Sequence, residues 1–316
     1  MPGWWLWPSV SGAAARPPVV VTAPHVAVII LHWGAVDVTA RCLQSIARAS
    51  FPGRTTILLI DNTGRIDHSL LASVAPLELE VYQPPRNLGF AGGCAWGMAM
   101  AVEHGVDFVV LLNNDAVVEP SFLDVLLRAA AQSPGVGVLC PQVVSPRRLW
   151  YVGGTFSLWS GIPLQQRRSR DGAPISGPPR EVDYATGCAM LIDPAVVRAV
   201  GSFDPQFFMY CEDLDFSLRV RQAGFKILFV PASRVHHAVT DESDREALRI
   251  YYSTRNLLEV MRRHAAWYHW PGFVLNFLVR WLGFFMVLAC LRRRPRIIGG
   301  LVTGTIDFLR RRFGEK

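Results

Sequence analysis

No two cysteines in this chain stand at CxxC spacing, and none sits at CxH spacing from a histidine. The six (Cys42, Cys94, Cys140, Cys188, Cys211, Cys290) are scattered, mostly among apolar or small residues. That argues against a zinc site or a disulfide framework and predicts buried, reduced thiols. Glycine is scarce just where a dinucleotide-binding unit would need it. The segment after the first strand, HWGAVD, has one glycine, too few to bring a pyrophosphate onto a helix N-terminus. Hydride transfer on a Rossmann scaffold is therefore disfavoured. So is a nucleotidyltransferase, whose triphosphate loop would be Gly-rich and carry Lys or Arg. Residues 1–24 lack a basic region before their short apolar segment, so they read as a disordered or membrane-touching extension rather than a signal peptide. Net positive charge is scarce outside one end. Between Arg292 and Lys316 eight basic residues face two acids, which accounts for six of the net +7. A nucleic-acid-binding core is disfavoured.

What is present is apolar strand material, with 51% hydrophobic residues in 316, ample for a large core. The runs Val26–Trp33 and Phe108–Leu112 read as strands buried on both faces, and Thr55–Gly64 reads as a strand ending in Asp61-Asn62. Leu77–Tyr82, third in chain order, is an alternating strand. Between them lie a helix with Val38, Cys42, Leu43, Ile46 and Ala47 in period and a Gly-rich helix over Asn87–Gly105. Ser121–Ala131 is predicted helical and Gly135–Cys140 a strand. This alternation predicts an α/β fold with a mostly parallel central sheet and helices on both faces. Pro146–Pro179 reads as a long loop or β-ribbon whose aromatics (Trp150, Tyr151, Phe156, Trp159) either stack on a ligand or simply pack. Tyr184–Ile192 is predicted as a strand, Pro194–Val200 and Phe207–Ala223 as helices, and Lys226–Val230 as a strand leading to His236-His237.

Two polar clusters interrupt the apolar pattern. Phe108–Leu112 ends in Asn113-Asn114-Asp115, at the sheet edge where ligands of open α/β sheets sit. Either Asp115 holds a divalent metal on a phosphorylated ligand, or the cluster is a turn capping the helix at Glu119-Pro120. Glu212, Asp213 and Asp215 crowd three carboxylates into four residues of an otherwise apolar segment, where burial is costly unless the groups are paired or used. Arg219 and Arg221 are candidate ion-pair partners; the alternative is a general base tuned by its acidic neighbours.

In order from Val26 to Asn256, the pieces VAVIILHW, LLIDNTG, NLGFAGG, VLLNNDAVVEP, ATGCAMLI, GSFDPQFFMYCEDLDFSLRVRQAGFKILFVP, the His pair and YYSTRN resemble glycosyltransferase family 2. The likeness is to its rhamnosyltransferase-like branch, found in bacterial surface-polysaccharide synthesis. The resemblance implies a GT-A fold over 25–265; residues 266–316, beyond it, read from their own composition as a hydrophobic, basic, membrane-associated helical tail. It implies Asp213 as catalytic base. Asp61, Asn62, Asn87, Gly89, Asn114 and Asp115 would lie around the nucleotide-sugar donor. Asp115 and His237, rather than His236, would hold Mg²⁺ or Mn²⁺. Glu212, Arg219 and Trp150 would lie on the acceptor side or support the base. The usual D-x-D is reduced here to Asn-Asn-Asp, which leaves one hard anionic ligand, and His32-Trp33 replaces the family's asparagine and aromatic. The Q-x-x-R-W signature of processive synthases is absent, which implies single-sugar transfer.

The implied reaction is inverting displacement at the anomeric carbon, with a polyprenyl-diphosphate saccharide or glycan as acceptor. An inactive, membrane-bound saccharide-binding scaffold is the alternative. In the tail, Phe273–Leu291 is apolar except for a stripe at Asn276, Arg280 and Gly283. It has the length of a membrane span or of a buried helix. A single span from a cytosolic domain would export Arg292–Arg294, against the positive-inside rule. Ile298, Val302, Ile306, Leu309 and Phe313 form a second stripe. An in-plane anchor on the cytoplasmic face of the bacterial inner membrane fits best.

Overall fold

The structure, a computed structural model, describes residues 23–51, 53–64, 66, 78–145, 148–165, 174–237, 246–283, 287 and 296–316, with the side chains at 148, 150, 165 and 280–282 outside that set. The expectation for residues 1–24 falls almost wholly outside it.

The first strand, β1 (His25–His32), lies at the centre of a ten-stranded sheet. On one side it pairs in parallel with β2 (Arg54–Asp61), which pairs with β3 (Glu78–Tyr82). On the other it pairs in parallel with β4 (Phe108–Asn113). A short β5 (Ala116–Val118) follows, then β6 (Val136–Ser145), β7 (Arg148–Tyr151) and a separate hairpin of β8 (Gly154–Ser157) and β9 (Ile162–Gln165). The last strands are β10 (Arg180–Glu181), β11 (Ala189–Ile192) and β12 (Lys226–His237). Across the sheet the order is β10-β12-β6-β11-β4-β1-β2-β3.

Alternate residues of β1 feed opposite layers, as a period of two requires. Ala27, Ile29 and Leu31 belong to one core, Val26, Val28 and Ile30 to the other. The first layer is covered by α2 (Gly89–Glu103), and its glycines explain the fit: a Cβ on Gly97 would come 2.5 Å from Ile29, and one on Gly93 would overlap Leu31. The second is covered by α1 (Val36–Ala47) and α3 (Phe122–Ala131).

Three expectations need correction. The sheet is mixed, because β11 runs antiparallel between β4 and β6. The helix expected from Phe207 begins only at Glu212: α4 (Pro194–Val200) is followed by a 3₁₀ turn at Pro205–Phe207, then a loop, then α5 (Glu212–Gln222). The strand expected to end at Val230 continues through an irregularity between Val230 and Arg234 and delivers His237 to the site.

The last part of the chain is fastened to this core. Helix α6 (Glu246–His264) carries α8 (Arg296–Leu309) in close contact, since a Cβ on Gly300 or Gly304 would come within 2.6 Å of the Ala247 or Tyr251 carbonyl. Between them, α7 (Trp270–Asn276) buries Phe273 in the main core, along with Phe277 from the π-turn Phe277–Gly283. Among the described residues no helix is long and apolar enough to cross a membrane.

Candidate active site

The carboxyl ends of β1, β2 and β4, the entry to α2, the end of β12 and the start of α5 hold the chemistry-bearing residues. Asp61 closes β2 with its carboxylate buried in its own turn. Oδ1 accepts from the Thr63 N–H (2.9 Å), the Thr63 hydroxyl (2.6 Å) and the Gly64 N–H (3.1 Å); Oδ2 accepts from Ile66 N–H (3.0 Å) and Gln83 Nε2 (3.2 Å). Burial works to raise its pKa, but these donors outweigh it and hold the carboxyl below its ordinary value. Asp61 here shapes the loop that borders the site.

Asn62 donates to the Gly89 carbonyl (3.0 Å) and accepts from Leu88 N–H (3.3 Å), tying that loop to the entry of α2. Asn87 accepts from Gly89 N–H (2.9 Å) and donates to Glu315 (3.3 Å). Gly89 has φ +69°, and a Cβ there would stand 2.5 Å from the Phe208 ring and overlap its carbonyl oxygen. Only glycine fits both demands.

Asp115 is not a helix cap, because β5 intervenes and α3 begins at Phe122. Its Oδ1 lies 3.1 Å from His237 Nε2, and that nitrogen is 3.3 Å from Asn113 Nδ2. His236 points elsewhere, to Glu119. Asn114 donates to the Trp33 carbonyl (3.1 Å) and the Thr39 hydroxyl (2.9 Å), and Thr39 also bonds the buried His32 (2.7 Å). Asn114 and His32 thus order the β1–α1 loop from behind.

Among the described residues no three His, Cys, Asp or Glu converge as a metal cluster. Asp115 and His237 supply two donors 3.1 Å apart, which matches adjacent corners of an octahedral ion with ligands at about 2.1 Å. Among the described residues the neighbouring Asn113 Oδ1 is buried without a hydrogen-bond partner, an acceptor left over beside that pair. The pair fits Mg²⁺ or Mn²⁺ if substrate oxygens and water complete the shell.

Asp213 stands in the first turn of α5, half-buried. Oδ2 accepts from Gly187 N–H (2.9 Å) and Oδ1 from Leu214 N–H (2.8 Å). Burial raises its pKa and these N–H groups oppose the rise. Glu212 beside it is buried, its Oε2 has no partner among the described residues, and burial followed by the Asp213 charge pushes its pKa well up. Of the two, Asp213 is the better anion, because the Gly187 and Leu214 N–H groups stabilise its charge while burial favours the neutral form of Glu212. Asn113 N–H donates to the Cys188 carbonyl (2.9 Å), and Gly187 N–H, one residue earlier, to Asp213 (2.9 Å), so the Gly187-Cys188 segment links the end of β4 to Asp213.

Asp215 is not part of that neighbourhood. It is fully buried and bonded to Arg219 (2.8 Å) and His264 (2.9 Å). Arg219 also donates to the Val200 (2.5 Å) and Ser202 (2.9 Å) carbonyls, and Arg221 pairs with Asp183 (2.9 Å). Arg219 is a scaffold ion pair rather than an acceptor contact. Trp150 lies on β7 with its side chain outside the described residues.

Sequence reasoning gave Arg255 and Asn256 no role, yet both are buried and bonded to the loop before α5. Their place between the Tyr251-Tyr252 and Leu257-Leu258 pairs was the available signal. The loop is unusual: Phe208, Tyr210 and Cys211 all have φ between 63° and 67°, and Met209 N–H donates to the Phe207 carbonyl (2.7 Å) across Phe208. For L-residues this region costs about 1–2 kcal/mol each.

The model of glycosyltransferase like family 2 matches residues 23–269. The chain belongs to this glycosyltransferase family. Among curated relatives, it is 26% identical over 221 residues to N-acetylglucosaminyl-diphospho-decaprenol L-rhamnosyltransferase of Mycobacterium tuberculosis, covering 63% of this chain and 69% of that one. Over 61 residues it is 41% identical to rhamnosyltransferase WbbL of Escherichia coli, covering 19% and 23%. The enzyme superposes on Staphylococcus aureus TarS 1-349 in complex with UDP-GlcNAc at TM-score 0.58 and 14% identity, covering 90% of this chain and 81% of that one. It superposes on the Pyrobaculum calidifontis mannosyltransferase PcManGT in complex with GDP-Man and Mn²⁺ at TM-score 0.56 and 14% identity, covering 94% and 90%. The fold is GT-A and the chain is a glycosyltransferase.

Proposed function

We propose that this enzyme transfers one sugar from a nucleotide-diphosphate sugar to a lipid-linked or glycan acceptor, with inversion at the anomeric carbon. The observation that carries the proposal is Asp213, a half-buried carboxylate fixed by two N–H groups beside the buried carboxyl of Glu212. So held, Asp213 takes the acceptor hydroxyl proton as that oxygen attacks; its raised pKa makes it a stronger base than a solvated aspartate. Asp115 and His237 would hold the divalent ion, which when bound supplies charge stabilisation to the departing nucleotide diphosphate. The Asp61 turn, Asn62, Asn87 and Gly89 form the wall that orients the nucleoside, and Asn114 secures the opposite wall.

A dTDP-rhamnose or UDP-sugar donor is supported by the names of the relatives, rhamnosyltransferases among them. A polyprenyl-diphosphate saccharide acceptor is supported by the decaprenol-linked substrate in the name of one. Such an acceptor places the enzyme at the cytoplasmic face of the inner membrane. In support, Trp159, Trp267 (83% exposed) and Tyr268 cluster at the start of α7. Val274, Leu275, Leu278 and Val279 project from the side opposite Phe273 and Phe277, and Val302, Ile306 and Leu309 line the outer face of α8. Interfacial aromatics beside apolar stripes and an arginine-rich segment suit an in-plane anchor.

The test is transfer from a panel of dTDP-, UDP- and GDP-sugars with Mg²⁺ or Mn²⁺, comparing wild type with Asp213→Asn. Loss of the base lowers kcat by about 10²–10⁴-fold while donor binding persists. Equal turnover by both proteins refutes the assignment.

A further inference from the structure

The loop Phe207–Cys211 carries three of the four left-handed non-glycine residues among the described residues, a path its own side chains do not favour. What holds it lies on α6. The Asn256 amide donates to three carbonyls of this loop, those of Phe207 (2.9 Å), Met209 (2.8 Å) and Tyr210 (2.8 Å). Arg255 donates from Nη2 to the Phe207 carbonyl (2.9 Å) and from Nη1 to that of Gly314 (2.9 Å). The chain near its end then closes over the pair. Gly314 N–H returns to the Gln206 carbonyl (3.0 Å), Phe313 lies under the guanidinium (5.4 Å), and Lys316 N–H donates to the Tyr252 hydroxyl (2.9 Å). Tyr252 in turn stacks on Phe208 (5.4 Å).

Docking of α6 does not itself require this arrangement. The other end of the helix is fastened separately, by Arg263 with Asp204 and by His264 with Asp215. Arg255 is buried, and among the described residues its partners are carbonyls, an amide and aromatic rings. A buried guanidinium without a carboxylate is an expensive way to pack a helix.

We propose that Arg255 and Asn256, capped by the strap Phe313–Lys316, are positioning residues. They hold Gln206–Cys211 in its left-handed path, and that path sets the first turn of α5, where Asp213 sits. The inference rests on Asp213 being the base. Its mechanical half is independent of that reading: the strained loop keeps its shape only while the clamp is intact.

Hydrogen–deuterium exchange and steady-state kinetics on the full chain test it, with Asn256→Ala, Arg255→Lys and a chain ending at Arg312. Ile250→Val is the control; it trims the α6–α8 contact at Ile297 and Leu301 without touching the loop. Amides 208–214 should exchange at least about tenfold faster in the clamp variants and stay protected in the control. Displacement of the base should lower kcat by about 100-fold with donor KM little changed. The acid limb of the pH profile should move to higher pH as Asp213 loses the Leu214 N–H. Unchanged exchange in Asn256→Ala and Arg255→Lys overturns the clamp. Faster exchange with unchanged kcat and pH profile overturns its positioning role. If Asp213→Asn proves fully active, the base assignment fails, while the exchange result still decides the clamp.

Discussion

Gly89→Ala tests the closest approach on which the site depends, and Gly105→Ala, at the other end of the same helix, calibrates it. Both glycines are left-handed, with φ +69° and +67°. An L-residue in that region costs about 1–2 kcal/mol, so both variants lose this much. At Gly105 nothing lies within 4 Å of a new Cβ, and the loss ends there. At Gly89 the Cβ meets the ring of Phe208 at 2.5 Å and also its carbonyl oxygen. That oxygen accepts from Ala91 N–H (3.0 Å), so the backbone cannot simply retreat. Overpacking of this kind adds about 1–3 kcal/mol. Gly89→Ala should therefore lose roughly 2–5 kcal/mol in total, against about 1–2 kcal/mol for Gly105→Ala. Urea unfolding with a common slope measures the gap. The same displacement of Phe208 reaches the start of α5, so activity should fall in Gly89→Ala and persist in Gly105→Ala. A gap within about 0.5 kcal/mol would show that Gly89 and Phe208 do not meet as described.

Other outcomes follow from the charges and the surface. A carboxyl whose pKa is raised by folding binds more protons in the folded state, so its stability contribution falls as pH climbs above the unfolded value of 4.5. Glu212→Gln removes that term, and thermal unfolding should show a shallower loss of stability between about pH 5 and 8 than wild type. The opposite sign applies to Asp215, whose pKa is lowered: burial raises it, but the His264 bond and the Arg219 charge outweigh that. Its contribution is present above the ordinary value of 3.8 and is lost on acidification below it; Asp215→Asn should abolish that acid loss. Chelation should suppress sugar transfer and added Mn²⁺ restore it, and His237→Ala should raise the Mn²⁺ concentration for half-maximal activity about tenfold or more. An unchanged requirement would remove His237 from the metal site. Flotation with anionic vesicles should recover the protein, and replacing Trp267 and Leu275 by serine should reduce recovery without altering its thermal midpoint.

The frame of the fold was legible because β1, β2 and β4 each carry an unbroken apolar run, Val26–Leu31, Ile57–Ile60 and Phe108–Leu112, followed by polar residues. The antiparallel β11 was not, because AMLI is equally apolar read in either direction and nothing in it encodes strand polarity. The carboxylate crowd at 212, 213 and 215 divides for a geometric reason. On a helix of 3.6 residues per turn, positions two apart lie about 200° around the axis, so Asp215 faces Arg219 and His264 while Asp213 faces Gly187. The late start of α5 was hidden because Phe208 and Cys211 have helix-like apolar spacing, and a left-handed phenylalanine or tyrosine carries no mark as glycine would. Asp115 was legible as a polar stop after a buried strand. Its pairing with His237 was visible only through resemblance, since β12 had to run past Val230 to bring the histidine there.

These differences separate the two halves of the site by what supports them. Asp115 and His237 sit at the ends of β4 and β12, and β12 is held by neighbouring strands on both sides of its length. Asp213 follows a loop with no repeating hydrogen-bond pattern, and its placement comes from Gly187, Gly89 and the buried polar pair on α6. Damage to the two halves should therefore separate in kinetics. Substitutions behind the strand ends, at Thr39 or Asn114, act on the walls proposed to hold the donor and should raise donor KM. Substitutions on α6 act through the loop on the group that takes the proton, an interaction made in the transition state, and should lower kcat and kcat/KM together. A residue of α6 that raised donor KM alone would mean that the loop before α5 serves the nucleotide sugar instead of the base.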